Sequence, residues 1–196
     1  MGSGSGRLLK KLVTINPNIT GVELAQPMID NCKKILPNAK VIHANVLDLN
    51  LDQKFDLIIA PYRFISHFDK SGLGKLFQVV AKHLISGGKY IGDIFSPQQN
   101  ININCELSWM EVNGDILERD YNTYDHVNQI CSEYVEKVNL LTKDITIIKT
   151  PWHYFFPKQI LEAATQAGFK GNCLYDNFQK DPYTGTQDDL IYEFTL

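Results

Sequence analysis

The chain has 196 residues, 44% of them hydrophobic, and a formal net charge of −3. That is enough for one globular domain with its own core, without disulfides or metals as props, and the slightly acidic balance excludes the broad positive field that holds a nucleic-acid backbone. Cys32, Cys105, Cys131 and Cys173 stand far apart with no C-x-x-C pair, which argues against a zinc site and a disulfide scaffold. No apolar run approaches the roughly 20 residues of a membrane span, and Met1 is followed by glycines and a basic amphipathic segment rather than a signal-peptide core. The expectation is a cytoplasmic protein with reduced thiols, no metal, and neither nucleic acid nor membrane as partner.

In chain order, Met1-Gly2-Ser3-Gly4-Ser5-Gly6 reads either as a phosphate-type glycine loop or as a flexible linker. The next two segments favour the loop. Arg7 to Leu12 begins an amphipathic helix whose Arg7, Lys10 and Lys11 form a solvated face, and Ile19 to Glu23 is a short strand ending in a carboxylate. Pro27 suits the first turn of a helix in which Met28, Cys32, Ile35 and Leu36 share a face, stopped by Pro37-Asn38. Val41 to Ala44 is a short strand. Phe55 to Ala60 is nearly continuous in apolar residues, as a central parallel strand buried on both faces should be, and it ends at Pro61. Leu73, Leu76, Phe77, Val80, Ala81 and Leu84 recur at helical spacing, and Gly87-Gly88 turns into a strand from Lys89 to Phe95.

The texture changes between 98 and 156. Glu106 to Val112, Ile116 to Tyr124, Ile130 to Leu140 and Ile145 to Tyr154 read as antiparallel strands, with a hairpin turn at Asn113-Gly114-Asp115. Trp109, Trp152, His153, Tyr154 and Phe155 read as packing residues of this layer or of a dimer face. Pro157 then opens a helix that buries Ile160, Leu161 and Ala164 and ends at Gly168. Strands at 172–178 and 190–196 close the chain as a hairpin through Pro182 to Gly185. The fold class expected is therefore α/β: a mostly parallel, Rossmann-like sheet with a C-terminal antiparallel hairpin, plus an inserted antiparallel layer over 98–156, in a single domain.

Open α/β sheets bind ligands at the carboxyl ends of their strands, where several segments of this chain converge. Gly2, Gly4 and Gly6 let a backbone approach a ligand closely. Glu23 is spaced to accept hydrogen bonds from a ribose diol, and Asn45 and the Val46 N–H to read an adenine edge. Pro61 to Phe68 face the same crevice. Taken in this order, the segments resemble the class I S-adenosylmethionine-dependent methyltransferases over nearly the whole chain. That family carries an acid-x-G-x-G-x-G loop, matched by Gly2, Gly4 and Gly6, whereas a nicotinamide-binding G-x-G-x-x-G loop wants glycine where Arg7 stands. Leu84-Ile85-Ser86-Gly87-Gly88-Lys89 is similar to the family's L-x-P-G-G-x turn, with serine for proline, and Phe55 to Phe68 resembles the fourth strand and loop of small-molecule members, including amino-sugar N-methyltransferases.

The resemblance implies S-adenosylmethionine as donor, S-adenosylhomocysteine as product, and a small-molecule acceptor methylated at nitrogen. It implies cofactor contacts at Gly2, Gly4, Gly6, Glu23, Leu24, Met28, Asn45, Val46 and Pro61. Tyr62 and Arg63 would orient the acceptor, and His67 would be the base, by its position and a pKa suited to neutral pH. The inserted layer is expected as a lid or as a homodimer contact. Asn45 replaces the family's usual aspartate, and the family's acid and first strand before the glycines have no counterpart here, so an N-terminally truncated domain is expected. A truncated or degenerate fold with weak cofactor binding and no catalysis is the alternative.

Overall fold

The computed structural model describes residues 1–95, 105–187 and 189–196. Gly6, left-handed at φ 84°, turns the chain into the short helix α1 (Arg7–Leu12). Strand β1 (Thr20–Glu23) leads through helix α2 (Gln26–Ile35), opened by Pro27, to β2 (Lys40–His43), which lies parallel to β1. The buried stripe of α2 is Ile29 and Cys32, whereas Met28 and Ile35 are about half exposed. This corrects the expected face, because a helix lying on only two strands has a narrow surface to bury against.

Strand β3 (Phe55–Ala60) is followed by α3 (Lys70–His83), whose N-terminus is capped by the Asp69 side chain accepting from the Gly72 N–H at 2.7 Å. Next comes β4 (Leu84–Phe95), parallel to β3. It starts directly at the end of α3, ahead of Gly87-Gly88, because Leu84 already pairs with Phe55 and Gly87 (φ 77°) absorbs the irregularity within the strand. The antiparallel layer consists of β5 (Cys105–Asn113), β6 (Ile116–Asp125), β7 (Ile130–Asn139) and β8 (Ile145–His153), in that spatial order. The expected layer begins at 98, and its segment 98–104 lies outside the described residues. Helix α4 (Pro157–Gln166), β9 (Gly171–Tyr175) and β10 (Asp189–Thr195) complete the chain, with β10 inserted antiparallel between β4 and β9. No helix among the described residues is long and apolar enough to cross a membrane.

The core lies between this four-stranded sheet and α3 and α4. Phe77, Tyr90, Phe169, Tyr192 and Phe194 pack ring against ring with centroids 5.1–6.4 Å apart, and the Tyr192 hydroxyl donates to that of Tyr90 at 3.2 Å. Gly92 makes this nest possible, since a Cβ there would run into Tyr192 Oη and lie 2.6 Å from the Ala60 carbonyl oxygen. Gly92→Ala is expected to destabilise the chain by about 2 kcal/mol, because backbone and a buried ring cannot both yield. An unchanged urea midpoint would show that the nest relaxes freely.

One expectation fails instructively. β3 is not buried on both faces: Leu57 is 49% exposed, because among the described residues β3 pairs only with β4, as β1 pairs only with β2. The parallel part of the molecule is thus two separate ladders. They are linked at their carboxyl ends by Met1 to Ser3, where the Met1 ammonium donates to the Ile59 carbonyl at 2.7 Å and the Ser3 N–H to that of Val22 at 3.0 Å.

Candidate active site

The glycine loop sits where the two ladders end. Its glycines differ in what surrounds them. A Cβ on Gly6 would lie 2.5 Å from Cys32 Sγ, so this position lets the loop settle against α2. Gly4, at φ 53°, has nothing within 4 Å of its Cβ position and lines a groove of about 410 Å³ together with Gly2, Met28, Pro61 and Tyr62. The loop is clamped from below by Glu23. One carboxylate oxygen accepts from the Gly4 N–H at 2.8 Å, and the other from the Leu24 and Ala25 N–H groups, each at 3.0 Å. Of the roughly four acceptor positions of a carboxylate, about three are thus already used, so Glu23 holds the loop as well as facing a ligand.

Pro61 ends β3, and the next two residues are in the left-handed region, Tyr62 at φ 61° and Arg63 at φ 53°. Consecutive non-glycine residues there cost of order 1 kcal/mol each. Asp93, on the neighbouring β4, explains why the strain persists. The backbone N–H of Arg63 bonds its carboxylate at 2.9 Å, and that of Tyr62 faces it. The Arg63 guanidinium reaches Asp189 at 2.8 Å and lies over the Phe95 ring at 5.3 Å. On the other side of the turn, the Arg7 guanidinium stacks on the Tyr62 ring at 4.5 Å.

Beyond Tyr62 opens a second cavity of about 800 Å³, between this turn, β4 and the antiparallel layer. Among the described residues its charged wall has four carboxylates, Asp93, Glu106, Glu133 and Asp189, and one guanidinium, Arg63; Trp152, Tyr124 and Phe95 give it aromatic faces. Burial raises the Asp93 carboxyl above the usual carboxylate range, and the two backbone N–H groups offset this only in part. Its Oδ1 is buried without a hydrogen-bond partner. Such an oxygen costs free energy unless a donor meets it.

The structure therefore brings Gly2, Gly4, Met28, Pro61 and Tyr62 to the groove, and Tyr62 and Arg63 to the cavity. Leu24 is exposed beside the Glu23 clamp. Asn45 spends its side-chain oxygen on the Leu47 N–H at 3.0 Å, capping the turn Val46–Asp48, and the Val46 side chain is buried in the core. His67 is exposed on the turn Phe64–His67, with its ring 5.1 Å from that of Trp152, and is not among the residues lining the cavity. Desolvation lowers its pKa, the charge of Glu23 opposing.

Sequence reasoning missed five contributors. Arg7 belongs to the groove rather than to a solvated face, and its place directly after the third glycine was the available signal. Trp152 and His153 line the cavity, whereas Tyr154 and Phe155 are core as expected. Asp93 was legible only as a lone acid in an apolar strand, and Asp189 carried no signal at all.

Residues 1–88 match the family model of the methyltransferase domain Methyltransf_25. A comparison with curated proteins gives no match. Among solved structures, an S-adenosylmethionine-dependent methyltransferase from Clostridium acetobutylicum superposes with a TM-score of 0.83 at 18% identity, over 100% of this chain and 81% of that one. CalS10, an amino pentose methyltransferase from Micromonospora echinaspora solved with S-adenosylmethionine, gives 0.76 at 15% identity, over 99% and 80%. The sugar N-methyltransferase KedS8 from Streptoalloteichus gives 0.70 at 19% identity, over 97% and 76%. Residues 1–88 are thus similar to a methyltransferase domain, and the chain as a whole shares the fold of solved S-adenosylmethionine-dependent methyltransferases.

Proposed function

We propose that the chain methylates a nitrogen of a small amine, the donor lying in the groove along the glycine loop and the acceptor in the acid-lined cavity. The observation that carries this reading is Tyr62, whose residue lines both spaces, so a ligand in each would meet across one side chain. The residues fit the donor: Gly4 is open to a close approach, Met28 and Pro61 offer apolar surface, and Glu23 fixes the loop. When bound, S-adenosylmethionine supplies an activated methyl group on a sulfonium, so the protein needs mainly to align the acceptor and exclude water. The excess of carboxylates suits a cationic amine, as does the likeness to CalS10, an amino pentose methyltransferase.

In this reading Asp93 anchors the acceptor ammonium and takes its proton, freeing the nitrogen lone pair, and Arg63 fixes Asp93 from behind. The antiparallel layer closes over the cavity through Trp152. Its outer residues Leu107, Met110, Ile145 and Ile147 are exposed apolar side chains that suit a second copy. His67 supports Trp152 and lets the proton pass to solvent.

Titration calorimetry with S-adenosylhomocysteine, followed by mass detection of methylated products over a panel of amino sugars and simple amines, tests the reading. Micromolar product binding with methylation of an amine supports it. Absence of binding would favour a degenerate fold, and methylation only of hydroxyls would move the acceptor atom. His67→Ala is expected to lower kcat about five- to tenfold with S-adenosylhomocysteine affinity unchanged; equal losses in both would place His67 on the donor side.

A further inference from the structure

The cavity beyond Tyr62 has two acidic walls that belong to different parts of the fold. Asp93 and Asp189 stand on the paired strands β4 and β10, beside the turn that holds Tyr62 and Arg63. Glu106 and Glu133 come from the antiparallel layer. There the register sets them in one row: Glu106 of β5 opposes Asn122 of β6, and Asn122 opposes Glu133 of β7. Residues directly opposed across a ladder share a face, and all three line the cavity. Two strand spacings, roughly 10 Å from Cα to Cα, separate the glutamates.

The charge on the layer's wall has no counterpart among the described residues. Glu106 accepts from the Tyr124 hydroxyl at 3.3 Å and Glu133 from the Trp152 indole N–H at 3.4 Å, long contacts from neutral donors. Glu118 and Glu136, on the same strands but outside the cavity, are paired with cations, Lys137 at 2.9 Å and Arg119 at 2.8 Å. The fixed cation of the cavity is Arg63, and Asp189 takes it at 2.8 Å. Asp93, Glu106 and Glu133 thus face the space without a positive partner. Burial pushes the Cys131 thiol up to about 11 and raises the Tyr124 hydroxyl as well, so the side chains beside the glutamates stay neutral and do not offset this charge. The Asn122 amide nitrogen donates to Ser108 Oγ at 3.2 Å, which leaves its carbonyl oxygen as a further acceptor.

Resting on the amine reading of this cavity, we infer that the acceptor is a dication: a small diamine, aliphatic or carried on a sugar ring, without phosphate or carboxylate groups. One nitrogen sits at Asp93 beside the donor, and the other over Asn122 between Glu106 and Glu133. The first loses its proton to Asp93 and forms the new N–C bond as the donor's S–C bond breaks, whereas the second keeps its proton and its charge. Two opposed anchors fix the molecule's direction, so that one end meets the donor. Tyr124, Trp152 and Phe95 offer aromatic faces to the carbon frame between the nitrogens. Asp93 alone serves any amine; the layer's glutamates select the second charge, and an anionic substituent would be repelled by both walls.

The probes are straight-chain terminal diamines from diaminopropane to diaminohexane, each against the monoamine of the same carbon number, titrated calorimetrically into the intact chain loaded with S-adenosylhomocysteine. At the best-fitting length the diamine is expected to bind about 10- to 100-fold more tightly than its monoamine, the range that one charge-assisted contact in a water-poor site supports. In Glu106→Gln/Glu133→Gln that ratio should fall below about threefold, with S-adenosylhomocysteine affinity held within about a factor of two. Glu118→Gln removes the same charge from the same face of the layer outside the cavity, and should leave the ratio as it is. A monoamine bound as tightly as every diamine overturns the inference and leaves the amine reading standing. A ratio that survives the double variant, or that falls equally in Glu118→Gln, also overturns it, since the second charge would then be held at no particular place. Diamine selectivity with methylation only at hydroxyl groups would support the second anchor while striking the amine reading.

Discussion

Asp93→Asn is expected to lower kcat/KM for an amine acceptor by about 10²- to 10³-fold while leaving S-adenosylhomocysteine affinity within a factor of two. The size reflects the position of the group. Asp93 Oδ1 is buried and has no partner within the protein, and its sister oxygen is taken by the Arg63 N–H. Asparagine keeps the shape and one acceptor for the strained turn, so the fold should survive, but it removes the charge that an ammonium pairs with in a desolvated site. The pH profile separates this role from a structural one. Since burial raises the Asp93 carboxyl, and its ionised form is the one that holds and deprotonates the amine, kcat/KM rises with pH through that raised pKa. The acidic limb of the wild type should lie above the ordinary carboxylate range and be missing from the variant. A limb that persists in Asp93→Asn would assign it elsewhere, and a loss confined to cofactor affinity would overturn the role.

The order of elements was readable because it rests on local rules. Glycine positions, Pro27 and Pro157 at helix starts and the Asn113-Gly114 turn act within a few residues, and they fall where expected. The helical spacing of Leu73, Leu76, Phe77 and Val80 likewise survives, since all four are buried. What a local pattern does not hold is pairing across the chain. Phe55 to Ala60 has the composition of a doubly buried strand, yet burial depends on a neighbour that composition does not name, and Leu57 is exposed. The cavity beyond Tyr62 was less legible for the same reason. Asp93, Trp152 and Asp189 come from three distant segments, and only the insertion of β10 beside β4 and the docking of β8 on the turn before α3 bring them together. A residue such as His67 stands out by chemistry in a loop, while the half-buried acid that the loop wraps around does not.

Glu23→Ala should be the most damaging single change on the donor side, with S-adenosylhomocysteine affinity reduced by about 10²- to 10³-fold. Three backbone N–H groups, of Gly4, Leu24 and Ala25, lose their acceptor together. Hydrogen bonds to a charged acceptor contribute about 1.5–3 kcal/mol each, and although water can replace the two at the exposed Leu24 and Ala25, the Gly4 bond is what fixes the loop over the groove. The loop would then have to be ordered by the ligand itself, so that part of the binding free energy is spent on the backbone. Glu23→Gln separates the two halves of the clamp. Its single carbonyl oxygen can serve Gly4 or the Leu24 and Ala25 pair but not both, and its amide nitrogen must face a backbone N–H. An intermediate loss of about tenfold is therefore expected, with protection of the Gly4 amide from hydrogen exchange reduced in the same order as affinity. If Glu23→Ala weakened binding while Gly4 stayed fully protected, Glu23 would act through direct contact with the ligand alone. If neither changed, the groove beside Gly4 would not be where the donor binds.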